Sequence, residues 1–257
     1  MTIIGTGFGA TQGNSEVRLN GLPTQIELWS DTSTTVTIPP GATSGPITVA
    51  VAPSMNCSNP ATFKVLPYPM LDLDIGAVGL AGNATYANGT YVISAAGPSI
   101  YNTADGMHFV YKPLSGNGTV IARVVGVTGM RTGTSGRAGV MIRESLNANS
   151  REGTSAYSTW DNPTGAPIGI YLYRTSTGGS TSFANSGAIN APYWVKLVRN
   201  GSIFSAFISP NGTAWTQVGG NQTISMATNV YVGLAVSSND NNNNSLITAT
   251  FDSFSVQ

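Results

Sequence analysis

Carboxylates, one imidazole and one thiol are the groups that could do covalent or acid–base chemistry in this chain. Past residue 70 the acids are Asp72, Asp74, Asp105, Glu144, Glu152, Asp161, Asp240 and Asp252. Hydrolysing a glycosidic bond takes two carboxylates about 5–9.5 Å apart across one face. Strand residues share a face at i, i+2, i+4. In a clear strand only Asp72 and Asp74 have that spacing, and they stand where the second unit begins, not in mid-sheet. His108 is the single histidine, and a Ser-His-Asp triad built on it has no nucleophile elbow around it. Cys57 is the single cysteine, so it reads as a free structural thiol. His, Cys and carboxylates nowhere cluster at metal-ligand spacing. No catalytic residue is therefore assigned. One ionic reading stays open. Asp74 and Asp252 would meet if the two ends of the second unit pair, and oxygens there could hold a structural Ca2+.

The remaining chemistry is recognition. Sugars are held by aromatic faces stacked on their C–H patches and by planar polar groups that fix hydroxyls. An apolar wall with a few placed polar groups is the general recipe for a site. Such residues recur on what read as four neighbouring strands: His108 and Tyr111, Met141 and Arg143, Tyr157 and Trp160, Tyr171 and Tyr173. Tyr171 and Tyr173, at i and i+2, share a face. Arg143 has apolar neighbours, and an unpaired Arg inside a sandwich is costly. It is expected to point into a concave, wet face, with a cross-strand salt bridge to Glu152 as the alternative. Trp160 leads into the loop Asp161-Asn-Pro-Thr-Gly165 and is expected at a rim. A packing alternative stands beside each residue, since strand Tyr and Trp more often fill cores than hold ligands. His108 also reads as a satisfied structural histidine, and Trp194 and Trp215 as packing residues.

Short apolar-alternating runs, separated by Gly, Asn and Pro, must position these groups. That spacing means a sandwich or barrel, so the fold class is all-β. The clearest hairpin runs Tyr193–Arg199, Asn200-Gly201, Ser202–Ile208, where Asn-Gly predicts a type I′ turn. Two prolines in Pro67-Tyr68-Pro69 mark a stiff connection. They divide the chain into residues 1–67 and 71–257.

Composition narrows the function classes. The chain has 257 residues, and charged residues make up 9% of them, against about 25% in ordinary soluble proteins. Lys plus Arg equal Asp plus Glu at 11 each, for zero net charge. No basic stripe offers the electrostatic footprint of nucleic-acid binding. No apolar run nears the ~20 residues of a spanning helix, so membrane insertion is not expected. Polar yet uncharged chains rich in Thr and Gly are typical of secreted β-proteins, so an extracellular or cell-surface location is expected. Met1 is followed at once by a strand-like Thr2-Ile3-Ile4 with no signal peptide. The chain reads as a piece of a multidomain parent.

The runs Ile3-Ile-Gly-Thr-Gly-Phe-Gly9, Val17-Arg-Leu-Asn-Gly21, Trp29-Ser-Asp-Thr-Ser33, Val36-Thr-Ile-Pro-Pro-Gly41 and Gly45-Pro-Ile-Thr-Val49 resemble the IPT/TIG family of immunoglobulin-like domains. The family's strand ahead of the Ile-x-Gly-x-Gly-Phe segment is missing, which implies an open sheet edge. Gly5-Thr-Gly7-Phe-Gly9 lacks the spacing and following helix of a phosphate loop. A tight bend with Phe8 packed inward is expected instead. In the second unit, Arg137-Ala-Gly-Val-Met-Ile-Arg143, Pro192-Tyr-Trp-Val-Lys-Leu-Val-Arg199, Ser209-Pro-Asn-Gly-Thr-Ala-Trp215 and Ala249-Thr-Phe-Asp-Ser-Phe-Ser-Val256 resemble the concanavalin A-like, or laminin-G-like, jelly roll of bacterial secreted and surface proteins. That resemblance implies two curved antiparallel sheets and a concave face that binds glycans in some members. The Glu-x-Asp-x-x-Glu strand of the superfamily's enzymes is absent.

The expected function is a non-catalytic carbohydrate-binding accessory module behind an immunoglobulin-like spacer, with a polysaccharide or glycan as partner. Its expected ligand-binding residues are Trp160, Tyr171, Tyr173, Arg143, Tyr157 and His108. The alternative is a structural or adhesive surface protein that self-associates through open β-edges. A glycan-active enzyme is disfavoured by the absent carboxylate pair.

Overall fold

A computed structural model describes residues 1–40, 42, 44–130, 135–159, 166–240 and 245–257. Among these the chain is all-β, without a helix. It divides into two compact units, Met1–Pro69 with Thr85–Ala87, and Met70–Ala84 with Asn88–Gln257.

The first unit holds β1 (Thr2–Ile4), β2 (Glu16–Leu19), β3 (Leu22–Pro23), β4 (Gln25–Trp29), β5 (Ser33–Thr37), β6 (Gly45–Val51), β7 (Asn56–Cys57) and β8 (Ala61–Phe63). One sheet has the order β1-β5-β4, and the other runs β3-β2-β6, with β7 and β8 both on β6. Phe8, Val17, Leu19, Val36, Ile47 and Val49 form the core. Phe8 turns inward onto Trp29, ring centroids 5.8 Å apart. A Cβ on Gly5 would stand 2.5 Å from the Phe8 ring, so the close bend needs glycine there. Cys57 is exposed and free.

The larger unit holds β9 (Leu71–Ile75), β10 (Asn83–Ala87, of which Thr85–Ala87 group with the first unit), β11 (Thr90–Ala95), β12 (Met107–Ser115), β13 (Gly118–Thr128), β14 (Arg137–Arg143) and β15 (Glu152–Ser158). There follow β16 (Ile168–Arg174), β17 (Ser182–Ala188), β18 (Tyr193–Asn200), β19 (Ile203–Ser209), β20 (Thr216–Thr223), β21 (Asn229–Ser237) and β22 (Ile247–Val256). Two seven-stranded antiparallel sheets result, ordered β17-β16-β15-β14-β21-β12-β9 and β10-β11-β22-β13-β18-β19-β20. The predicted hairpin forms, with a correction to its turn. Asn200 pairs with Ile203, so the two loop residues are Gly201 and Ser202. Gly201 alone has positive φ, which makes the turn type II′. Asn88-Gly89, with φ of 48° and 82°, has the two positive angles of type I′.

Pairing register assigns the first sheet's two faces, because opposed residues point the same way. Val110, Leu234, Val140, Ser155 and Tyr171 lie in one row. That row looks at the second sheet, where Ser155 Oγ donates to the Phe207 carbonyl of β19. Phe109, Ala235, Gly139, Ala156 and Ile170 lie in a row on the other face. Every residue of β14 and β15 is buried, so both faces are covered. Gly233, opposite Met141 on one side and Tyr111 on the other, is approached closely by the β12 backbone. A Cβ there would lie 1.9 Å from the Val110 carbonyl oxygen. Only backbone movement could relieve that overlap, so Gly233→Ala is expected to lose ~3 kcal/mol or more of stability. Chemical denaturation measures this, and a loss under about 1 kcal/mol would contradict the close approach.

Candidate functional site

The first sheet's outward face carries its own core. Met107, Phe109, Tyr111, Met141, Ile170 and Leu172 pack with Ile100, and Tyr101, Leu146 and Ala148 lean on them. Two connections therefore roof the face, the segment 96–106 before β12 and the turn 144–150 after β14. Gly106 N donates to the Ser99 carbonyl and Asp105 N to the Ala148 carbonyl, at 2.7 and 2.9 Å, which ties the two together.

Beneath that roof lies a layer of charge. Arg143, Glu152 and Arg174 are opposed across β14, β15 and β16, and each is fully buried. Asp105, also buried, accepts from Arg174 Nη2 at 2.6 Å and Nη1 at 3.1 Å. Arg143 Nη1 stands 3.3 Å from the same carboxylate. Arg143 Nε and Nη2 donate to the carbonyls of Ser145 and Asn147. Glu152 accepts only the Thr154 hydroxyl, at 2.5 Å, and its Oε1 has no partner. Burial, then the charge of Asp105, pushes the Glu152 carboxyl up to about 7, with Thr154 and the two arginines partly offsetting them. Isolated buried ions cost several kcal/mol each. Two guanidinium and two carboxylate groups together nearly cancel.

At the β16–β17 end the roof stops short and leaves an open cleft of about 450 Å³. Ile170 forms part of its wall, with Arg137, Tyr101, Phe183, Asn102, Asn185 and Asn239 around it. The Tyr101 and Phe183 rings meet edge to face at 6.0 Å, and Phe183 is 50% exposed. Arg137 lies over Tyr101 at 5.5 Å and donates through Nη1 to the Ser99 hydroxyl and the Ile100 carbonyl. Asn239 Nδ2 donates to the Ser135 hydroxyl. Two rings, three amides and a guanidinium thus converge on one concavity, the combination that holds sugars and other small polar ligands.

The structure separates the residues expected to bind together. Arg143 does lie on the outward face, but the 144–150 turn buries it, so it is not wet. It faces Glu152 across the strands, yet pairs with Asp105. Tyr171 and Tyr173 share a face as expected, and Tyr157 lies on it too, but it is the inter-sheet face, because Gly153, opposite Tyr173 in register and on the same face as Tyr157, looks onto Phe204 and Leu197. Tyr171 is fully buried there with its hydroxyl unpartnered, and burial raises its pKa. β21 lies between β12 and β14, so the four strands are not all neighbours. His108 is buried at the β9 edge between two carboxylates, Nδ1 at 2.8 Å from Asp74 and Nε2 at 3.1 Å from Asp72. Burial opposes its charge, but these bonds and charges outweigh it and raise its pKa. Asp74 and Asp252 are not brought together as a Ca2+ site. Asp74 also takes the Gly82 amide, while Asp252 on β22 forms a two-pronged pair with Arg123. Among the described residues no group of three or more metal-ligating side chains occurs. Trp160 and its loop lie outside the described residues.

Sequence reasoning missed the cleft residues Tyr101, Asn102, Arg137, Phe183, Asn185 and Asn239. One signal pointed to them. Asn102 and Asn239 have positive φ, and asparagine in a loop is the residue that tolerates it.

Comparisons with known proteins find a family match for the first unit and likenesses of fold for the chain. Residues 1–65 match the IPT/TIG domain. A functionally unknown protein from Saccharomyces cerevisiae superposes with a TM-score of 0.55 at 14% identity, covering 68% of this chain and 91% of that one. A mutant of the GH43 protein BlXynB from Bacillus licheniformis gives 0.48 at 10% identity, covering 91% and 45%. Lectin I-B4 from Griffonia simplicifolia gives 0.44 at 11% identity, covering 73% and 93%. No curated protein matches the sequence. Residues 1–65 thus match an immunoglobulin-like IPT/TIG domain, and the larger unit is an antiparallel sandwich of two seven-stranded sheets. A fold of this kind carries no function by itself.

Two buried groups set a pH dependence. Glu152 has a folded pKa above its unfolded value, so the stability tied to its proton is lost as pH rises from about 4.5 through about 7. The raised His108 pKa acts in the same direction, with stability present below 6.5 and lost as pH climbs through the folded value. Unfolding free energy is therefore expected to fall between pH 5 and pH 8.5. At ~1.4 kcal/mol per unit, Glu152 contributes up to ~3 kcal/mol of that fall. Glu152→Gln should flatten the profile by about that amount in urea titrations, and an unchanged profile would contradict the assignment.

Proposed function

We propose that this chain is a non-catalytic carbohydrate-binding module, with the jelly roll as the binding unit and the IPT/TIG domain as its spacer. One observation carries the reading. The cleft offers exposed aromatic edge and face from Phe183 and Tyr101 beside the amides of Asn102, Asn185 and Asn239. Rings of this kind stack on sugar C–H patches, and amides both donate to and accept from hydroxyls. The described residues lining the cleft include no Asp, Glu or His. Most glycoside hydrolases need two carboxylates beside the scissile bond, so this lining supports binding without hydrolysis. The low charge and the many Thr, Gly and Asn residues of the chain support an extracellular or cell-surface setting.

A second reading, a structural or adhesive protein that assembles through open β-edges, is favoured by one feature of the first unit. β1 is an edge strand, and it presents Ile4 85% exposed. An exposed apolar edge is a template for pairing with another chain.

A glycan array separates the two readings. Wild-type protein is expected to bind at least one neutral glycan, and Phe183→Ala to weaken that binding by about tenfold or more, the loss of ~1.4 kcal/mol of stacking and contact. Phe183 is half exposed, so the variant keeps its fold. Absence of binding to every glycan, together with mass growth on concentration that Ile4→Lys abolishes, would overturn the carbohydrate reading in favour of assembly.

A further inference from the structure

Arg174 reaches the cleft from beneath. Its Nη2 donates to the Thr181 hydroxyl at 2.9 Å, and that hydroxyl donates on to the Asn102 carbonyl at 2.9 Å. Longer contacts run from Nη2 to the carbonyls of Tyr101 and Asn102, at 3.5 and 3.4 Å. Its two-pronged grip on Asp105 fixes the other end of the same segment. Nη1 also donates to the Ser150 carbonyl at 2.8 Å, beyond the second roofing turn. One guanidinium therefore sets the position of Tyr101 and Asn102, two of the groups that face a ligand.

The same side chain has an unspent donor. Arg174 Nε is buried without a partner, and so is Glu152 Oε1. The two residues are directly opposed across β15 and β16. A donor and an acceptor, each short of one bond, thus belong to directly opposed residues of one strand pair.

Resting on the carbohydrate reading of that cleft, we infer that Arg174 is its positioning residue and that the charge on Glu152 governs how firmly Arg174 holds the Tyr101–Asn102 lip. With Glu152 neutral, the guanidinium is directed wholly to Asp105, Thr181 and the lip carbonyls, as seen. With Glu152 ionised, its free oxygen draws Nε across the strand pair, and the guanidinium turns away from the lip. The charges around Glu152 are Arg143 on β14, Arg174 on β16 and Asp105 in the roofing segment. Tyr171 on β16 stays neutral under the influence of burial and of Glu152. Arg151 and Glu144 pair with each other and take no part. Burial puts the Glu152 transition near neutral pH, with a value of about 7. Ligand affinity is then highest below pH 7 and falls above it. By linkage, bound ligand raises the Glu152 pKa.

Amide hydrogen exchange followed by mass spectrometry on the full chain tests this without a ligand. The amides of Asp105 and Gly106, both hydrogen-bonded in the roof, are the reporters, with exchange corrected for the intrinsic effect of pH. Wild type is expected to lose protection there by roughly tenfold between pH 5.5 and pH 8.5, within the usual range of couplings between sites. Glu152→Gln, which cannot ionise, should hold protection constant, and Arg174→Lys should show low protection at both pH values. The glycan bound best on the array is then titrated at both pH values, and its affinity should follow the protection in wild type and Glu152→Gln. Protection that is flat in wild type, or that changes equally in Glu152→Gln, would overturn the inference while leaving the carbohydrate reading in place. A chain that binds no glycan yet shows the Glu152-dependent change would keep the switch and sink the carbohydrate reading.

Discussion

The larger unit depends on a guanidinium and a carboxylate that meet away from water. Arg174 ends β16, one strand in from the sheet's edge, and Asp105 closes the segment that roofs the sheet. Neither would be tolerated alone in that place, because the effective cost of burying an ion is several kcal/mol even after relaxation. Together they tie a strand end to two connections that would otherwise be free to leave. An apolar pair of equal size would pack as well, but it would not specify which carbonyls the roof presents. The polar layer selects one arrangement of the 96–106 segment, and that arrangement forms one side of the cleft.

The remaining construction follows from how far the roof extends. Ile100, Tyr101, Leu146 and Ala148 fill the outward face over β12, β21 and β14. No wet groove is left there, which is why Arg143 is dry. Toward β17 the roof ends, and the strand residues Phe183 and Asn185 are exposed. Among the described residues, a face that is mostly filled leaves a pocket at its margin. The aromatic and amide groups of that pocket come from both the sheet and the roof, so its shape is only as fixed as the roof is.

Much of the architecture was legible in the sequence. The alternating runs and the Tyr193–Ile208 hairpin follow from local chemistry that two residues of context can express. Met141 and Arg143, read as sharing one strand, both fall in β14. The site was not legible in the same way. Tyr171 and Tyr173 do share a face, but periodicity cannot say which face, since that is decided by the pairing of β15 with β16 and by what covers each side. Arg143 was placed on the right face and wrongly in water, because the turn that buries it has no pattern of its own. The cleft unites residues near 100, 137, 184 and 239, and no spacing rule connects positions so far apart. His108 shows the limit from the other side. A lone histidine beside an alternating pair of aspartates has the look of chemistry, yet both ring nitrogens are spent on fastening β9 to the sheet.

The most direct test of where a carbohydrate sits is a backbone amide NMR titration of the whole chain with the soluble oligosaccharide that it binds most tightly. The account predicts that shift changes concentrate at Tyr101, Asn102, Phe183, Asn185 and Asn239, and leave the exposed face of the second sheet around Trp194 and Trp215 unmoved. Shifts centred on Trp194 and Trp215, with the cleft silent, would contradict it.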